Sequence, residues 1–147
     1  MVTFREAREA DVAGIVALLT DDPVAAGREG AAPAAYQAAF AAIRDDPSTV
    51  LLVAEEAGRI VATAQLTLLR GLSRGGMTRA LVEAVRVAPD LRSQGIGAAL
   101  MTEIESRAIA AGAGLVQLTS DKRRDRAHAF YRRLGYEASH EGFKKLL

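Results

Sequence analysis

Apolar positions along this chain alternate between two periods, and each change of period marks an element. Val2 to Arg5 alternates apolar and polar, which predicts a first or edge strand. Between Glu9 and Leu19 the residues Val12, Ile15, Val16 and Leu19 recur at helical spacing, and Asp21-Asp22-Pro23 ends the pattern. Residues 23–33, rich in Gly, Ala and Pro, read as loop. Tyr36, Phe40 and Ile43 form the stripe of a second helix. Asp45-Asp46-Pro47 stops it, because the residue before proline avoids the helical region. Thr49–Glu55 and Ile60–Leu69 flank the turn Glu56-Ala57-Gly58-Arg59 and predict a hairpin. A glycine-rich loop over 70–78 leads into a strand at Arg79–Val87. Ile96, Leu100, Ile104 and Ala108 mark one helix face, ended by Gly112 and Gly114, and Leu115–Thr119 reads as a buried strand. Ala127, Phe130, Tyr131 and Leu134 define a last helix closed by Gly135, and Tyr136–His140 with Phe143–Leu147 predicts a final hairpin. The expected order is β-α-α-β-β-β-α-β-α-β-β: one mixed α/β domain over residues 1–147, with about seven strands and about four helices.

Composition narrows the classes. At 147 residues the chain can bury a core without staples. No apolar run approaches the ~20 residues of a membrane span, and Met1-Val2-Thr3-Phe4-Arg5-Glu6 lacks an apolar leader. Cysteine is absent, which removes disulfides, thiolate metal sites and a Cys nucleophile, and fits a reducing cytoplasm. With a net charge of +1, a general nucleic-acid footprint is not indicated. His128 and His140 are too few for a metal site.

The most informative stretch runs from Val85 through Pro89-Asp90-Leu91-Arg92-Ser93-Gln94-Gly95-Ile96-Gly97-Ala98 to Leu100: strand, tight loop, helix start. A helix start leaves backbone N–H groups without partners at the positive end of the helix dipole, and glycine lets an anion approach them. A pyrophosphate suits such a cradle, and Arg92 can add a charge-assisted contact. A dinucleotide-binding fingerprint would need a third glycine where Leu100 stands, and a P-loop would need Gly-Lys-Ser or Gly-Lys-Thr. Tight packing of strand on helix is the competing role for Gly95 and Gly97.

Arg92-Ser93-Gln94-Gly95-Ile96-Gly97 resembles motif A, (Gln/Arg)-x-x-Gly-x-(Gly/Ala), of the GCN5-related N-acetyltransferase (GNAT) superfamily. Ala127-His128-Ala129-Phe130-Tyr131-Arg132-Arg133-Leu134-Gly135-Tyr136 is similar to its motif B, at the family's spacing. The resemblance covers residues 2 to 147 and implies a strand pair that splays apart around acetyl-CoA, with a bulge in the first strand. It implies that backbone groups of Val85 and Val87 hold the pantetheine and thioester. The N–H groups of Gln94, Gly95, Ile96, Gly97 and Ala98 would hold the pyrophosphate, with Arg92 and Ser93 counted among the cofactor-binding residues. Where many relatives place an Asn on the cofactor, seven residues before the motif B tyrosine, this chain has Arg124. Arg124 shares a helical face with Ala127 and Tyr131, which makes it a further candidate cofactor contact.

By the same resemblance the chain transfers an acetyl group to an amine, and Tyr131 is the acid for the departing thiolate; packing against the sheet is the alternative role. Glu83 is the base candidate: period two places it on the face of Val85, and apolar neighbours would raise its pKa. Its alternative is a structural pairing with Arg79 or Arg86. Thr119 and Ser120 end the second splayed strand. Some relatives acting on ribosomal-protein N-termini carry a Glu at the Thr119 position, and its absence counts against that substrate. The acceptor expected first is a small-molecule amine. A protein lysine or N-terminus is an alternative, as is a non-catalytic acetyl-CoA sensor. Residues 20–48 and 70–79 should choose the acceptor. Many relatives pair as homodimers, which is the expectation here.

Overall fold

The computed structural model describes residues 1–147, apart from the side chain of Ala26. Five strands form one sheet in the order β1-β2-β3-β4-β5: β1 Thr3–Glu6, β2 Thr49–Glu56, β3 Arg59–Leu69, β4 Arg79–Val87 and β5 Leu115–Leu118. The first four pair antiparallel, and β5 joins β4 in parallel. Helices α1 Val12–Thr20 and α2 Pro33–Asp45 connect β1 to β2. A four-residue helical turn, α3 Ser73–Gly76, lies within the expected 70–78 loop, and α4 Ile96–Ala110 with α5 Asp125–Arg133 flank β5.

Two layers of apolar side chains enclose the sheet. On one face Leu52, Ala64, Val82 and their neighbours pack against Leu100, Met101 and Ile104 of α4. On the other, Val12, Ile15 and Leu18 of α1 and Phe40 of α2 are buried. The fourfold spacing of Ile96, Leu100, Ile104 and Ala108 is therefore the core stripe of α4, all four being buried.

The predicted last hairpin does not form. Among the described residues no strand follows β5, so the sheet has five strands rather than about seven, and α3 makes five helices rather than four. The physical reason lies in the segment itself. Tyr136 is tied back to α5, its N–H bonding the Tyr131 carbonyl at 3.0 Å while Gly135 N–H bonds that of Arg132 at 3.0 Å. Its hydroxyl donates to Glu105 at 2.8 Å. Farther on, Phe143, Leu146 and Leu147 are all exposed.

Candidate active site

The site begins where β4 and β5 part. Their ladder runs Arg79↔Leu115 to Val82↔Leu118 and stops, while β4 continues to Val87. Just beyond the last pair, β4 carries an extra residue: Glu83 faces Gln65 and Arg86 faces Thr63, so two β4 residues stand opposite Ala64 alone. Ala84 takes a positive φ of 52° at this bulge. The fork and the bulge expected from the resemblance are both present.

The bulge overturns one expectation. Val85 packs on the α4 side of the sheet. Glu83 pairs with Gln65, which lines an apolar cavity beneath α1 and α2 together with Thr63 and Ala84. Directly paired residues point to the same face, so Glu83 and Val85 lie on opposite faces. Glu83 is also exposed rather than enclosed by apolar neighbours. Neither suggested arginine binds it: Arg79 donates to Gln117 at 2.9 Å, and Arg86 turns to Asp22.

The helix start behaves as a cradle. Gly95 precedes α4 with φ +84°, and no side chain caps this end. The intrahelical ladder begins with Ala99 N–H to Gly95 C=O at 3.0 Å, leaving the N–H groups of Ile96, Gly97 and Ala98 for another acceptor. Ser93 is also left-handed, at φ +63°. Alternating handedness in such a loop turns successive N–H groups into one concavity. Gly97 has a different task. A Cβ there would sit 3.3 Å from the Phe130 ring and 3.7 Å from Val87 Cγ2, so this glycine sets the close contact of α4 with α5 and β4.

The cradle is ringed by cations. Arg92 Nε donates to the Val87 carbonyl at 3.3 Å, and Arg126 Nη2 donates to Ser93 Oγ at 3.1 Å. Arg126 is absent from the sequence expectations because it falls outside both motifs. The Val85 carbonyl accepts from Arg86 Nη1 at 2.9 Å.

Tyr131 is half-buried and packs against the sheet–α4 core, its ring edge-on to Phe130 (centroids 5.1 Å apart) and to Tyr136 (5.9 Å). Burial pushes its hydroxyl pKa up, partly offset by the positive charges of Arg86 and Arg124. The phenol thus stays protonated at neutral pH and close to two guanidiniums.

Arg124 is not turned to the cradle. Its Nη1 lies 2.5 Å from Asp22 Oδ2, and Arg86 Nε lies 3.0 Å from the same oxygen. Asp22, on the loop after α1, is 5% exposed and accepts the Val24 N–H at 3.0 Å. Burial works against its charge, yet Arg124, the Val24 N–H and Arg86 together hold its pKa below the usual carboxylate range. For Arg86 the balance goes the other way: burial first, then repulsion from Arg124 and Arg28, outweighs Asp22 and lowers its pKa. The sequence offered one signal for this trio, a charged residue inside the apolar run Val85-Arg86-Val87.

Other candidates resolve simply. His128 Nε2 is 2.9 Å from the Asp121 carbonyl and braces the β5–α5 loop, and His140 bonds Ser139 on the surface. Thr119 is exposed and Ser120 half-buried at the end of β5. Among the described residues no cluster of metal-ligating side chains occurs, and no helix is long and apolar enough to cross a membrane.

Strands that part beside an uncapped helix start, with a half-buried tyrosine packed on the same core, go together with a match of residues 11–136 to the model of the acetyltransferase (GNAT) family. The chain belongs to that family. It is 35% identical over 113 residues to the aminoalkylphosphonate N-acetyltransferase of Salmonella typhimurium (strain LT2), covering 77% of this chain and 73% of the relative. Among solved structures, a transcriptional regulator from Bacillus halodurans C-125 is similar over the full length of both chains, with TM-score 0.97 and 40% identity. A Trypanosoma brucei acetyltransferase also matches over 100% of both chains, with TM-score 0.81 and 26% identity.

Proposed function

We propose that this acetyltransferase takes its acetyl group from acetyl-CoA and transfers it directly to the primary amine of a small molecule. The observation that carries this reading is the parting of β4 and β5 after Val82↔Leu118, together with the unpaired N–H groups of Ile96, Gly97 and Ala98 and the half-buried Tyr131 packed on the same core. Acetyl-CoA supplies the activated acyl group as a thioester. The backbone of Ser93 to Ala98, with Arg92 and Arg126 beside it, binds the diphosphate. The backbone of Val85 and Val87, on the strand edge that β5 has left, aligns the pantetheine arm.

Tyr131 holds the proton that the departing thiolate takes; its raised pKa keeps that proton in place until then. The acceptor arrives as an ammonium with a pKa near 10.4 and must lose a proton before it attacks. Glu83, exposed at the crotch of the fork on the face opposite α4, takes that proton through water at the open mouth. The likeness to a small-molecule N-acetyltransferase favours a small acceptor over a protein lysine or N-terminus.

A second reading, an acetyl-CoA-binding domain in regulation, draws on the 40% identical regulator. One assay separates them: release of free CoA from acetyl-CoA against a panel of amines and peptides. Acetylation of a small amine, lowered about 100-fold or more in Tyr131→Phe, is expected. Acetyl-CoA binding without release to any amine would overturn the enzyme reading in favour of the regulator.

A further inference from the structure

We propose that Arg86 and Arg124, bridged by Asp22, form an oxyanion subsite that selects acceptors carrying an acidic group a few bonds from the amine. The inference rests on the acetyl-transfer reading above and adds to it the chemistry of the acceptor.

Two guanidiniums share one carboxylate oxygen, which leaves the trio with excess positive charge. Their side chains are 12% and 18% exposed, and that of Asp22 is 6% exposed, so water screens the charge poorly. The contacts are close but badly directed. Asp22 Oδ2 and Arg86 Nε are both buried, and neither has a sound hydrogen bond among the described residues. Arg28, on the loop after α1, adds a further positive charge near Arg86. A buried charge without sufficient partners is costly, and a second anion offsets that cost. Guanidinium forks bind phosphonate, phosphate or carboxylate oxygens two at a time.

Position sets the length of the ligand. Arg124 stands at the start of α5, about two helical turns before Tyr131, the group assigned to the leaving sulfur, and Arg86 meets the same Asp22 oxygen. An acceptor anion on these arginines therefore leaves only a short linker to the attacking nitrogen. The pyrophosphate cradle is a separate place: Arg126 reaches it at Ser93, while Arg124, two residues earlier, reaches Asp22 instead.

The test uses the full chain and four amines of similar length: 2-aminoethylphosphonate, 2-aminoethyl phosphate, β-alanine and uncharged propylamine. Wild-type kcat/KM for the best oxyanion-bearing amine should exceed that for propylamine about 100-fold or more. The three acids rank phosphonate, phosphate ester and carboxylate as sources of the oxyanion. Arg124→Gln should shrink the preference about 10- to 100-fold, mainly through KM, with partial recovery in Arg124→Lys. If that variant fails to fold, the wild-type panel decides alone. Propylamine used within threefold of the best acid would overturn the subsite while leaving acetyl transfer intact. Conversely, heat of 2-aminoethylphosphonate binding to the CoA-saturated protein, without acetylation, would sink the enzyme reading and leave the subsite standing.

Discussion

Replacing Gly95 by alanine should weaken acetyl-CoA binding more than it weakens the fold. The backbone at Gly95 sits at φ +84°, ψ −2°, just before the first turn of α4. A Cβ there meets nothing within 4 Å, so no clash adds to the penalty. What remains is the left-handed conformation itself, about 1–2 kcal/mol for a residue with a Cβ. The protein already tolerates that cost at Ala57, Arg74, Ala84 and Ser93. Stability should therefore fall by about 1–2 kcal/mol, a drop in Tm of roughly 2–8 °C. The strain is relieved if the loop relaxes toward negative φ, and that motion turns the N–H groups of Ile96, Gly97 and Ala98 away from a shared anion. Losing one charge-assisted hydrogen bond of about 1.5–3 kcal/mol weakens binding about 10- to 100-fold. Calorimetric titration with acetyl-CoA beside a thermal melt separates the two quantities. A variant that melts lower yet binds acetyl-CoA with wild-type affinity would refute the cradle as the diphosphate site.

Three further outcomes follow from the same fold. Gly97→Leu should be worse for folding than Gly95→Ala, because its Cβ would already lie 3.3 Å from Phe130; thermal melts of the two variants compare them. Leu100→Ala, at a side chain 0% exposed in the α4 core, should cost about 2–5 kcal/mol in a urea titration. Asp11 and Asp22 are held below the usual carboxylate range, Asp11 through Arg5 and Asp22 against its burial by its arginine and backbone partners. A lowered folded pKa contributes stability that is present above about pH 4 and lost as pH falls further. Asp22→Asn should flatten that acid limb, measured as Tm between pH 6 and pH 3, and an unchanged slope would contradict the assignment.

What the residues disclosed, and what they concealed, follows the range of the forces involved. Local signals were legible: Asp46-Pro47 does close α2, the fourfold stripe of α4 is its buried face, and Gly135 ends α5. The cradle was legible because a helix start and its glycine are neighbours in sequence. Asp22, Arg86 and Arg124 were not, since they come from the loop after α1, from β4 and from the start of α5, and only the sheet order brings them together. The last hairpin failed for a related reason. Period alone does not show that Tyr136 is tied back to α5 and to Glu105 instead of entering the sheet.

The bulge at Ala84 joins these observations. With unbroken alternation from buried Val82, the core face would receive residues 84 and 86, and the guanidinium of Arg86 would be driven into the layer of Leu100 and Ile104. One extra residue resets the alternation. Val85 and Val87 go to the core, and Arg86 goes to the face of Thr63 and Asp22. The same insertion lies just past Val82↔Leu118, the last pair before β4 and β5 part, so the opening between the strands and the turn of Arg86 away from the core share one origin. Deleting Ala84 should then remove both at once: the two strands could continue their ladder, and Arg86 would face apolar side chains without Asp22. That outcome is a loss of acetyl-CoA binding together with a stability loss of several kcal/mol, as expected for a buried charge deprived of its partner.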